Sequence, residues 1–82
     1  MSAKYNHDFV ENYDGLVGFG FDQETDQATL KVYLQKISDD QCLKLLLPRM
    51  SQAEITLLFE LLGNLLRNHL DHQEYHQYFL KD

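Results

Sequence analysis

The sequence predicts a small compact all-α domain of four to five helices built around a central helix at about 52–70. Three observations carry this. Helix-start signals recur three times after residue 37, a leucine-rich stretch of helical period follows the second of them, and only one Pro and four Gly interrupt 82 residues. A chain of this length makes one domain, 1–82, because cores below about 100 residues seldom divide. Hydrophobic residues make up 44% and aromatic residues 12% of the chain, enough apolar surface to offset the ordering entropy, so a disordered tail is excluded.

The first half supports two readings. Phe9, Val10, Tyr13, Leu16 and Val17 suit a helix over about 7–17 with Asn6 as its cap, and Leu30, Tyr33, Leu34 and Ile37 suit another over about 26–37 capped by Thr25. Yet Val17, Phe19 and Phe21 alternate, as do Leu30, Val32 and Leu34, which is the period of a strand. Gly15, Gly18 and Gly20 weaken any helix through that stretch by roughly 3 kcal/mol in sum. The alternative is therefore a β-hairpin over about 16–35 packed on the C-terminal helices. An isolated two-stranded ribbon is marginal, so the helical reading is preferred.

The second half is more explicit. Ser38–Gln41, Ser51–Glu54 and Asp71–Glu74 each place an oxygen-bearing residue three positions before Glu or Gln. In such a box the first side chain accepts from the later backbone N–H and the later side chain reaches back, pairing two donors the helix cannot satisfy itself. The first box predicts a helix over about 39–47, stopped by Pro48, which pushes Leu47 from the α region. The second opens the helix at about 52–70. There Ile55, Leu58, Phe59, Leu62, Leu66 and Leu70 form one stripe and Leu57, Leu61 and Leu65 a second, leaving so narrow a wet face that the helix should be surrounded on most sides. Gly63, costly by about 1 kcal/mol against Ala in a helix, implies close approach of another group. The third box starts a terminal helix, about 72–80, expected to turn near Leu70 and Asp71 and fold back on the central one.

Charge narrows the function. Thirteen acids against seven bases give a net charge of −6, a field of the wrong sign for neutralising phosphates, so direct nucleic-acid binding is not expected. Residues 1–41 hold eight acids and three bases, against five and four in 42–82, and Tyr5–Leu30 has six acids with no Lys or Arg. The acids Asp8, Glu11, Asp14, Asp22, Glu24 and Asp26 thus form a candidate acidic face able to steer toward a basic protein. The single Cys42 cannot make an internal disulfide, and no secretory pattern opens the chain, so the cytoplasm is the expected compartment. No apolar run approaches the roughly 18 residues that span a bilayer.

Candidate chemistry fails on spacing. His69, His72 and His76 could offer imidazoles one helical turn apart to zinc or nickel, but the set crosses the predicted cap at Asp71 and lacks the His-Glu-x-x-His order that adds a general base. Asp22-x-Glu24-x-Asp26 imitates a calcium loop, yet Gln27 and Tyr33 stand where Gly and a bidentate acid are needed. The glycines of 15–20 do not match a phosphate fingerprint. Cys42 lies among leucines with no nearby histidine and reads as a buried small hydrophobe. No cofactor and no catalytic role are expected.

What remains is apolar excess. Fifteen leucines and ten aromatics exceed what one small core hides, and an unburied stripe becomes an interface. The expected function is a non-catalytic, cytosolic protein-interaction module. It should self-associate as a homodimer through its long helix and present Leu57, Leu61, Leu65, Tyr75 and Tyr78. Two alternatives stand beside it: an acidic antagonist of a basic nucleic-acid-binding protein, and a metal-binding protein built on the three histidines.

Overall fold

Backbone hydrogen bonding in the computed structural model, which describes residues 7–82, is helical throughout, with no strand among the described residues. The helices are α1 (Asp8–Asn12), α2 (Gln23–Ile37), α3 (Asp40–Leu46), α4 (Gln52–His69) and α5 (His72–Glu74). A 3₁₀ turn, Leu47–Arg49, follows α3, and α5 runs on into a π-helical stretch, Tyr75–Leu80. The fold class is all-α, and the hairpin alternative for 16–35 is ruled out: α2 takes up 23–35, and the run before it is irregular. Contacts divide the chain into two compact units, Met1–Pro48 and Arg49–Asp82.

In the first unit, α2 is the organiser. It begins earlier than the spacing predicts because Asp22, not Thr25, is the cap: its carboxylate accepts the Thr25 N–H at 2.7 Å and the Thr25 hydroxyl at 3.2 Å. Local acids thereby settle the start three residues upstream of the predicted one. The glycine-bearing run before α2 then folds onto it. Thr29, itself buried, donates its hydroxyl to the Gly18 carbonyl at 2.7 Å and accepts the Gly18 N–H at 3.0 Å. Asp26 accepts the Gly20 N–H at 2.8 Å. Gly20 has φ +94°, a conformation only glycine adopts without strain. The alternation of Val17, Phe19 and Phe21 therefore belongs to a loop whose polar backbone is satisfied by side chains of α2 in place of a sheet partner.

Helix α1 is far shorter than the expected 7–17. Its N-cap is His7, and Asn6 lies outside the described residues. Three contacts hold it on α2: the Val10 N–H donates to Gln35 Oε1 at 2.9 Å, His7 Nε2 meets Ser38 Oγ at 2.6 Å, and Lys31 Nζ lies 4.1 Å from the centre of the Phe9 ring. Val10 and Val32 are the buried hydrophobic residues of this unit. Ser38 is drawn into the C-terminus of α2, with its N–H on the Leu34 carbonyl, so the predicted Ser38–Gln41 box does not form. Asp39 caps α3, accepting the Gln41 N–H at 3.1 Å. Cys42 is exposed, not buried as expected, because α3 contributes no residue to the core.

In the second unit both predicted capping boxes are present and complete, at Ser51–Glu54 and Asp71–Glu74. Helix α4, 18 residues long, spans about 27 Å at 1.5 Å per residue. It ends because Leu70 and Asp71 are extended, which turns the chain where the sequence placed the break. The π-helical stretch ends at Lys81, whose left-handed backbone (φ 61°) lets the Asp82 N–H reach the His76 carbonyl at 3.2 Å.

Thr29 should be the most sensitive polar residue of the first unit. Thr29→Val leaves both Gly18 polar groups without a partner, whereas Thr29→Ser retains them. We expect the valine variant to lose about 1–3 kcal/mol and the serine variant clearly less, read by chemical denaturation. Equal losses would show that the hydroxyl has no role.

Candidate functional site

The site is built on the physics of α4. Its apolar residues recur on both sides of the helix, and within Arg49–Asp82 the only helical elements beside it are α5 and its π-helical extension. About two turns of helix cannot enclose a helix of five. No residue of α4, α5 or the extension is buried. Leu57 is 68%, Phe59 76%, Leu61 54% and Leu62 45% exposed. The expectation that this helix is surrounded on most sides is overturned, for lack of covering chain in its unit.

The chain turns at Leu70 and Asp71, but the terminal segment makes little contact with α4 and does not fold back on it as expected. The two leave a cleft of about 1050 Å³ lined by Phe59, Leu62, Gly63 and Leu66 of α4, by Leu70 at its C-cap and by Tyr75 and Phe79, with Glu60, Leu65, Arg67, His69, Asp71 and His72 also on its walls and rim. The Tyr75 and Phe79 rings stack with centroids 5.2 Å apart at 20°, presenting one flat aromatic wall. That stack is a consequence of the local winding, since a π-helical turn brings residues four and five apart closer to alignment than an α turn does.

Arg67 lies along the cleft edge. Its guanidinium donates to the Asn64 side-chain carbonyl and passes over Gly63, where an added Cβ would stand 3.4 Å from Arg67 Nη1. The contact is an ordinary one with the end of a flexible side chain, so the close approach expected at Gly63 is absent among the described residues. Glu60 lies one turn before Gly63, as Arg67 lies one turn after it.

No family model, curated protein or solved structure matches this chain. The residues themselves must carry the reading. Of the five predicted interaction residues, Leu65 and Tyr75 line the cleft, while Leu57, Leu61 and Tyr78 lie outside it and are exposed. Phe59, Leu62, Leu66 and Leu70, expected only as one apolar stripe, line the cleft as well, as does Phe79. The signal for the cleft was Gly63 on the same stripe: a gap in the apolar row that a bulky side chain elsewhere could enter.

The three histidines separate. His72 and His76 pair edge to face with centroids 4.4 Å apart, and His76 Nδ1 is held by Asp82 Oδ1 at 2.9 Å. His69 stands on α4 beyond the turn, and no group of three or more His, Cys, Asp or Glu is placed to hold a metal ion among the described residues. Of the acidic candidates, Asp22 and Asp26 serve as local acceptors for the first unit, and Glu11 is also engaged. Asp8, Asp14 and Glu24 are exposed. No described helix is long and apolar enough to cross a membrane.

The Asp71 box sets the direction of the aromatic wall. Asp71→Ala should cost the terminal segment about 1 kcal/mol, seen as faster amide exchange from Tyr75 to Leu80 with α4 unaffected. Unchanged exchange would mean that stacking alone holds the segment.

Proposed function

We propose that this chain is a non-catalytic, cytosolic protein-interaction module that self-associates through α4 and the terminal segment. The observation that carries the reading is the absence of any buried residue from Arg49 to Asp82 in a stretch that contains eight leucines and four aromatic side chains. Polypeptides below about 40 residues usually require a disulfide, a metal or association to stay folded. The second unit has no cysteine and no described ligand cluster. Association is the remaining means of covering it, and fully burying each large apolar side chain contributes about 1.5–3 kcal/mol. Homodimers of two-fold symmetry are the commonest outcome for such a surface.

The polar constellations support a structural role. The Ser38 hydroxyl, which meets His7, also donates to the Gln35 carbonyl at 3.1 Å, an arrangement suited to closing the end of α2 and not to activating a nucleophile. The free Cys42 is compatible with the reducing cytosol.

Light scattering should give a mass near twice 9.7 kDa, and the unfolding midpoint should rise with protein concentration, as it does whenever the folded form alone associates. A mass of 9.7 kDa maintained over about a hundredfold range of concentration, equivalent to about 2.7 kcal/mol of association free energy, would end the proposal.

A further inference from the structure

We infer that the cleft between α4 and the terminal segment receives α4 of a second copy of this chain, antiparallel to the first. This rests on the self-association proposed above and specifies its geometry. The second copy is favoured over another occupant by the charges on the rim. Glu60 and Arg67 are seven residues apart on α4, so they project from the same side of the helix, two turns or about 10.5 Å from one another. That is too far for a direct pair within one helix. Arg67 is bonded to the neutral Asn64 amide, and the Glu60 carboxylate makes no hydrogen bond or ion pair among the described residues.

An antiparallel twin satisfies both at once. Placing Glu60 opposite Arg67 of the second copy places Arg67 opposite Glu60 of that copy by symmetry, and the same register sets the apolar row. Two residues, about 3 Å along the axis, from that level, Gly63 packs beside Leu66 of the second copy and Phe59 beside its Leu70, each contact occurring twice. The row Thr56, Phe59, Gly63, Leu66 and Leu70 repeats at alternating spacings of three and four, the seam required for knobs to enter holes. Gly63 supplies the empty hole at the centre once Arg67 swings toward its carboxylate. A parallel twin would set Glu60 beside Glu60 and Arg67 beside Arg67 at one level, opposing like charges.

The remaining charges permit this. Arg49–Asp82 holds three bases (Arg49, Arg67, Lys81) against five acids (Glu54, Glu60, Asp71, Glu74, Asp82), so its self-repulsion is small beside that of the first half. The stacked Tyr75 and Phe79 would lie along the entering helix and close the cleft over it. The result is a pair of interlocked helical hairpins, each supplying the wall that the other lacks.

Two measurements on the full chain test the register. Glu60→Arg and Arg67→Glu should each weaken dimerisation by about tenfold or more, and the double variant should recover it, because exchanging the two charges restores both cross pairs only in the antiparallel register. Independently, a spin label at Gln52→Cys in a Cys42→Ser background should report a separation of about 35 Å between copies, against about 10 Å for parallel helices. A dimer with the short separation, or a double variant no better than the single ones, overturns the register while self-association stands. A chain that remains a monomer overturns both.

Discussion

The governing constraint is the mismatch between the apolar circumference of α4 and the chain available to cover it in its own unit. A helix with leucines on two sides needs neighbours on two sides, and Arg49–Asp82 offers one short segment ending in an open angle. Hydrophobic free energy scales with area removed from water, so the exposed stripe is a standing driving force that only contact with other surface can release. The caps at Ser51 and Asp71 make that surface definite: they fix where α4 begins and where the chain turns, and hence which side chains look into the cleft.

The two boxes that formed were legible because each needs only residues three positions apart. Ser51 with Glu54, and Asp71 with Glu74, find their partners within one turn, whatever the rest of the chain does. The Ser38 box failed for an equally local reason. The backbone of Ser38 was already claimed by the preceding helix through the Leu34 carbonyl, and its hydroxyl by Gln35 and His7. Two helices competed for one residue, and the longer one prevailed, leaving Asp39 to cap α3. The same competition moved the start of α2 to Asp22, since a carboxylate able to accept both the N–H and the hydroxyl of Thr25 outweighs a threonine as cap.

The first thirty residues were harder because their decisive contacts are distant in sequence. Gly18 is satisfied by a side chain eleven residues away, and Val10 by one twenty-five residues away. Alternation of Val17, Phe19 and Phe21 carries no information about which partner takes the backbone polar groups, a strand or a threonine. The π-helical winding of Tyr75–Leu80 was likewise invisible to spacing, since residues four apart, such as Tyr75 and Phe79, are neighbours in either helix type. The cleft fell between these cases. Its α4 wall could be written down as a stripe, but the angle at which the terminal segment leaves Asp71 is a property of backbone torsions, so the same residues read equally well as a core.

The division of charge bears on how such a module would operate. Acids crowd the first forty-one residues and are nearly balanced by bases beyond them. Like charges repel in proportion to the product of their numbers, so a near-neutral half can approach its twin at little electrostatic cost while a strongly acidic half resists stacking on itself. Such a division would favour self-contact through the leucine-bearing half over the acidic one. Leu57, Leu61 and Tyr78 stay outside the cleft, so an antiparallel twin seated there would leave them as a separate apolar surface. A two-fold assembly would then display two such stripes and two acidic faces at once. Paired low-affinity contacts gain from effective concentration, so the proposed dimer would do more than stabilise its own helices.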